Sequence, residues 1–306
     1  MFDTVALSRT GFRPPDYSKL ERFNARYIPR GDELGPYQVW INGSKTKHQP
    51  RITISKRPEG KYILRAEVSI GAWLSGSNIN LPDMSDIRSF FERLDAFVGE
   101  RTGLKMDAHD ARVARLDVTR DYPGDTARIR TFIDNLRHHR MPRRTTTLCH
   151  GATVRFRSMG KKLARDTVVY DKEAEVRAHH QVLPIGLGGL LRLEDRYRRH
   201  AVTRLSESLK LKDHKASSML TEYVHSAVIS KLEANLGLPA AIEPESSALT
   251  GLFRALGSNQ ARRVVTHVAL VANFGSEYWL DSTFGVSKAV AGKQARLAAR
   301  YGLFNV

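Results

Sequence analysis

Three short stretches of the chain alternate apolar and charged residues, and each places an arginine two positions before a carboxylate. They are Ile63-Leu-Arg-Ala-Glu-Val-Ser69, Ala114-Arg-Leu-Asp-Val-Thr-Arg120 and Leu191-Arg-Leu-Glu-Asp-Arg196. A period of two is the period of a β-strand, whose successive side chains point to opposite faces. Each stretch therefore reads as a strand with one polar and one core face. Arg65 and Glu67 share a face, as do Arg115 and Asp117, and Arg192 and Glu194. Leu64, Ala66 and Val68 lie behind the first pair, Ala114, Leu116 and Val118 behind the second, and Leu191 and Leu193 behind the third. Between the second and third stretches runs Thr167-Val-Val-Tyr-Asp-Lys172, where a continuing strand would put Tyr170 and Lys172 on one face. If these strands are neighbours, one wall gathers three carboxylates, a tyrosine and a lysine.

Length and composition say what such a wall could meet. The 306 residues suffice for one large domain or two ordinary ones, and 41% hydrophobic residues supply a core. The formal charge of +17 points to a polyanionic partner, of which nucleic acid is the commonest. The basic residues cluster: Arg137 to Arg165 holds nine Lys/Arg and no acid, and Arg192 to Lys215 holds eight against four acids. Both runs flank the candidate wall. The single cysteine, Cys149, excludes an internal disulfide framework and a cysteine metal site. No secretory signal is visible at Met1-Phe-Asp-Thr-Val, and the longest apolar run, around Val268 to Ala272, is far short of the ~20 residues of a membrane helix. These features suit a cytoplasmic protein.

Further strands are expected at residues 3–9, Tyr37–Ile41, Arg51–Ser55, Lys61–Ser69 and Ala152–Arg157, with hairpins at Pro58–Gly60 and Ser158–Lys162. Helices are expected from Ser85, read as the cap, to Gly99, and from Thr126 to His138. Residues 141–150 read as a loop. After about residue 205 the pattern becomes helical, over Met219–Leu236, Ala248–Leu256, Ala261–Ala272 and Ser287–Tyr301. The fold class is α+β, with a largely antiparallel sheet, room for two related β-rich halves, and a mainly helical C-terminal region. The division falls between 1–205 and 206–306.

The residue types suggest a chemistry. Carboxylates are hard oxygen ligands suited to Mg²⁺ or Mn²⁺, and a divalent ion on phosphate oxygens stabilises charge during phosphoryl transfer. Tyr170 could be a covalent nucleophile, with Lys172 as the cation that eases its ionisation. Asp121 shares the face of Asp117 but lies about 13 Å along at roughly 3.3 Å per residue, so Asp117 is the better ligand. Tyr122, Tyr197 and Tyr223 are alternative nucleophiles, Tyr197 on the face opposite Glu194. No His-x-His pair occurs, and Gly186-x-Gly-Gly lacks the Lys-Ser/Thr of a phosphate-binding loop. His138-His139 and His179-His180 are adjacent and so diverge on regular structure. Arg115, Arg192 and Arg196 beside the carboxylates, and Arg155, Arg157, Lys161 and Lys162 in the basic run, are the candidate DNA contacts. The basic, alanine-rich 285–303 could lie along a DNA groove or simply pack as a helix.

At these motifs the chain resembles the gene II/gene X replication proteins of filamentous bacteriophages and, more distantly, rolling-circle initiators without the His-x-His motif. The similar stretches are Met1-Phe-Asp-Thr-Val-Ala-Leu7, Ile63–Ser69, Ala114–Thr119, Asp166–Glu173 and Leu190–Arg196, in order over about residues 1–205. The resemblance implies nicking of one strand at a replication origin, with Tyr170 held on the new 5′ phosphate, a 3′ hydroxyl left for a polymerase, and later rejoining. It implies Tyr170 as nucleophile, Lys172 as helper, Asp117, Glu194 and Glu67 as ligands of Mg²⁺ or Mn²⁺, and 1–205 as the nicking and joining domain. Residues 206–306 would then bind DNA or another copy of the chain. Origin DNA and the helicase and polymerase of a bacterial host are the implied partners. The rivals are a non-catalytic origin-binding initiator or repressor, and a metal-dependent nuclease using water.

Overall fold

A computed structural model of the chain describes residues 1–12, 20, 26–28, 38–41, 48–56, 60–79, 81–139, 141, 143–149, 152–158, 164–178, 189–238, 263–264, 266–267 and 286–300. Among them run ten strands: β1 (Phe2–Phe12), β2 (Arg26–Ile28), β3 (Gln38–Ile41), β4 (Arg51–Lys56), β5 (Tyr62–Ser69), β6 (Arg112–Pro123), β7 (Arg144–Cys149), β8 (Thr153–Ser158), β9 (Ala164–Asp171) and β10 (Leu190–Arg198). The helices are α1 (Ile70–Ser75), α2 (Met84–Thr102), α3 (Thr126–Leu136), α4 (Lys172–Ala178), α5 (His200–Ser208), α6 (Ala216–Met219), α7 (Glu222–Leu236) and α8 (Lys288–Arg300). The strands form an antiparallel sheet in the order β2-β3-β4-β5-β1-β6-β10-β9-β8-β7, and the fold is α+β. The motif-bearing β5, β6 and β10 lie near its middle.

The alternation expected from the sequence is present in full along β5, whose residues are buried at every second position. Tyr62, Leu64, Ala66 and Val68 form its core face; Val5 and Leu7 of β1 are buried in register with Val68 and Ala66, and Ile87, Phe90, Leu94 and Val98 form the buried face of α2. Helix α2 begins two residues earlier than expected. Asp83, not Ser85, is its cap: Asp83 Oδ1 accepts from the backbone of Ser85 at 2.7 Å and Asp86 at 3.0 Å, while Asp86 Oδ2 accepts from Asp83 N at 2.9 Å.

The compact units of the chain interleave. One holds Met1–Arg120, Ser158–Thr167 and Glu194–Val228, the other Asp121–Arg157, Val168–Leu193 and Ile229–Val306. Strands β6, β9 and β10 each pass from one unit into the other. The change near residue 205 is one of secondary structure: β10 ends at Arg198, and the described elements after it are helices. Three local expectations need correcting. Residues 141–150 are not all loop, since Arg144–Cys149 is a strand. The expected Met219–Leu236 helix is two elements, α6 and α7. Strand β9 stops at Asp171, so Lys172 opens a helix and is no longer in strand phase with Tyr170. The expected helices at 248–256 and over most of 261–272 lie outside the described residues, as do the tips of both hairpins.

Candidate functional site

The first unit carries the polar wall. Register explains how distant residues meet on it. Ala6 of β1 stands opposite Glu67 of β5 on one side and opposite Arg115 of β6 on the other, and Arg51 of β4 stands opposite Glu67. Neighbouring strands are about 4.8 Å apart, so β5 and β6 are separated by roughly twice that. The alanine methyl leaves the space above β1 open, and the long Arg115 side chain crosses it. Its Nη1 donates to Glu67 Oε1 at 2.6 Å, while Nη2 and Nε donate to Asp117 Oδ2 at 2.5 Å and Oδ1 at 3.0 Å. Glu67 also accepts from Arg65 at 2.9 Å and Arg51 at 3.3 Å. On β10, Arg196 donates to Glu194 Oε2 from Nε at 2.8 Å and Nη2 at 2.5 Å, and its Nε lies 3.9 Å from Asp117 Oδ2. The wall is thus a network of three carboxylates and four guanidiniums.

Burial makes these interactions strong. Asp117 is 1% and Glu194 3% exposed. Burial pushes the Asp117 carboxyl up; Arg115 and Arg196 oppose this and the Glu194 charge adds to it, leaving it at about 6. Burial also raises Glu67, but there Arg115, with Arg65 and Arg51, prevails and holds it below the usual carboxylate range. Burial depresses the Arg115 guanidinium, yet Asp117 and Glu67 more than reverse this. Arg198 is the exception. Burial, and then the neighbouring positive charge of Arg115, lower its affinity for its proton.

The opposite face of β10 carries a second polar group that strand phase alone did not reveal. Asp195, wholly buried, accepts from Arg165 Nε at 2.9 Å and Nη2 at 2.5 Å, from Thr167 Oγ1 at 2.7 Å and from the Tyr197 hydroxyl at 2.5 Å. The Arg165 guanidinium carbon sits 4.6 Å from the Tyr197 ring centroid. Tyr197 lies opposite Glu194, as its phase predicts, and its hydroxyl is committed to this buried cluster.

Tyr170 and Lys172 belong to the second unit. Tyr170 is 8% exposed near the end of β9, and the wholly buried Lys172 opens α4. Although the strand phase is lost, the turn into the helix keeps them together: Lys172 Nζ lies 6.0 Å from the Tyr170 ring centroid and donates to Glu175 Oε2 at 2.5 Å. Asp171, also buried, caps the helix by accepting from Ala174 N at 3.0 Å, and its Oδ2 has no hydrogen-bond partner, with Arg130 Nε 3.7 Å away. Just before β10, the Gly189 backbone lies close against the turn before α3: a Cβ there would lie 2.7 Å from Thr126 N, and Gly189 O accepts from Gly124 N at 2.9 Å.

The expected DNA contacts divide by environment. Arg192 is 1% exposed and donates to both oxygens of Asp121, at 2.6 and 2.7 Å. Arg115 and Arg196 are part-buried and bound to carboxylates. Arg157 is exposed on β8 and Arg155 half-buried. Lys161 and Lys162 lie outside the described residues. Arg51, Glu175 and Asp195 were not singled out by the sequence, because their partners come from other strands or another turn.

The expected metal ligands Glu67, Asp117 and Glu194 are brought into one network, but their oxygens already receive guanidinium N–H groups. That donor set fits arginine better than a divalent ion. Among the described residues, no group of three or more His, Cys, Asp or Glu is arranged to hold a metal. Also among them, no helix is long and apolar enough to cross a membrane.

What the fold and site define is a class: an α+β protein whose central strands carry a charge-compensated polar wall. Comparison goes no further, since no model of a known protein family and no curated protein matches the chain.

Proposed function

We propose that the protein nicks and rejoins one DNA strand at a replication origin through a covalent tyrosine intermediate, initiating rolling-circle replication of phage or plasmid DNA. The observation that carries this reading is Tyr170 beside the buried Lys172 ammonium, 6.0 Å from its ring, on a chain of charge +17. A cation near a phenol favours the phenolate, the nucleophilic form. In the proposed step the Tyr170 oxygen, its proton lost, bonds to phosphorus. The phosphorus–O3′ bond breaks, and the departing oxygen takes a proton. Rejoining reverses these changes. The proposed partners are origin DNA and a bacterial host's helicase and polymerase, in its cytoplasm. Mg²⁺ or Mn²⁺ remains part of the proposal without assignment to Glu67, Asp117 and Glu194.

A labelled single-stranded origin oligonucleotide, incubated with the protein and Mg²⁺ or Mn²⁺, should give an adduct that survives denaturing electrophoresis. Tyr170→Phe should abolish it, and EDTA should prevent it. Persistence of the adduct in the phenylalanine variant refutes the assignment of the nucleophile. Cutting without an adduct would instead identify a nuclease using water.

The arginine pairing of the carboxylates and the 8% exposure of Tyr170 favour a second reading, a non-catalytic origin-binding initiator or repressor. It predicts salt-sensitive binding and no cleavage with any metal.

A further inference from the structure

One guanidinium bridges two of the wall's three carboxylates. Arg115 spends all three of its donor nitrogens on two acids from different strands, reaching Glu67 across Ala6 and clamping Asp117 with two parallel bonds. Glu194 is close enough to Asp117 to raise its proton affinity, and Arg196 touches both. A small divalent ion would need these same oxygens at about 2.1 Å. On those oxygens it would compete with a permanently charged guanidinium that already fills part of their lone-pair capacity and compensates their charge. The cation that would neutralise this wall is already covalently attached to it.

We propose that Arg115 is a built-in cation in the place a divalent ion would take, so that Glu67, Asp117 and Glu194 bind no Mg²⁺ or Mn²⁺ in the native protein. Removing that guanidinium opens the wall to Mn²⁺. The register makes this specific to Arg115. Arg65 and Arg51 reach only Glu67, and Arg196 bonds Glu194 while its Nε stays 3.9 Å from Asp117. Only the loss of Arg115 frees oxygens of both Glu67 and the buried Asp117. Left without a counter-charge, those oxygens become a strong attraction for a hard cation.

The inference goes beyond the nicking proposal and stands on the first unit alone. Its test uses no DNA, so its failure and that of the nicking reading are separable. Mn²⁺ is titrated into the full chain and the free ion followed by electron paramagnetic resonance, with thermal unfolding recorded in EDTA and in millimolar Mn²⁺. The wild type and Asp117→Asn should leave the same free Mn²⁺ signal, and the wild-type midpoint should not differ between EDTA and Mn²⁺. Arg115→Met, similar in length but uncharged, should unfold at lower temperature in EDTA, bind one Mn²⁺ per chain, and recover several degrees when it does. Arg115→Met with Asp117→Asn should lose that binding. Wild-type Mn²⁺ binding that Asp117→Asn removes would overturn the proposal, as would a folded Arg115→Met that binds none. If Arg115→Met does not fold, Arg115→Gln takes its place, its amide still able to bond one carboxylate, and the wild-type comparison decides on its own.

Discussion

Asp117 shows how one residue's surroundings decide its behaviour. A carboxyl with two parallel bonds from an arginine would ordinarily titrate low, but its burial and the Glu194 charge prevail and leave it at about 6. At pH 7 it is ionised and the Arg115 pair is a true ion pair. An unperturbed aspartate titrates at about 3.8. The folded protein takes up this proton more readily than the unfolded chain. Asp117 therefore contributes stability that is fully present below pH 3.8 and is lost as pH rises through about 6. Over that window the contribution is at most on the order of 3 kcal/mol. The expected outcome is that the stability of wild type minus that of Asp117→Asn, from urea unfolding, declines from pH 4 to 6 and then levels off. A carboxyl carbon signal of Asp117 titrating near 4 would contradict this. Arg115 remains charged throughout, so acid weakens the pair from the aspartate side only.

At the scale of elements, what was legible in the sequence was phase, and what was not was partnership. Alternation correctly placed Arg65 with Glu67 and Arg115 with Asp117, and two of the three Arg-x-acid patterns are ion pairs along their own strand. In the third, Arg192 also bonds Asp121 of the neighbouring β6, and Glu194 bonds Arg196. No spacing within one strand encodes that choice. Lys172 illustrates a signal that was present but overridden: Asp171 followed by Lys-Glu-Ala-Glu is a helix cap with an acidic first turn, yet it continues a clean β pattern. Strand β7, Arg144-Thr-Thr-Thr-Leu-Cys149, offers β-branched residues but no apolar alternation, since as the last strand in the sheet order it has a neighbour on one side only. Gly189 was legible only as part of a failed phosphate-loop motif, whereas its role is steric. The Gly124–Thr126 turn before α3 packs against it with no room for a methyl. Because the clashing atoms are backbone, Gly189→Ala should destabilise the protein by about 1–3 kcal/mol, read as a lower urea midpoint with unchanged slope. An unchanged midpoint would mean that this contact is not tight.

At the scale of the whole molecule, a charge of +17 says little about which arginines would meet DNA, because several of those nearest the candidate residues are neutralised internally. Arg115, Arg192 and Arg196 bind Glu67 and Asp117, Asp121, and Glu194 respectively, so their charge is largely spent within the fold. Arg157 of β8 is exposed. Counterion release turns this into a measurable difference. Each phosphate neutralised on duplex DNA adds about 0.9 to the slope of log affinity against log salt, and about 0.7 on a single strand. Arg157→Gln should therefore weaken binding at low salt and reduce the slope by nearly one unit, with little loss of stability. Arg192→Gln should behave oppositely. Breaking a buried pair from one side costs about 3–5 kcal/mol, yet in whatever fraction stays folded the salt slope should match that of wild type. Fluorescence anisotropy with a duplex origin fragment across a range of potassium chloride, beside urea unfolding of each variant, separates the two. A folded Arg192→Gln with a reduced slope would show that this guanidinium leaves Asp121 for phosphate when DNA binds. The basic chain would then hold part of its binding charge in reserve inside ion pairs.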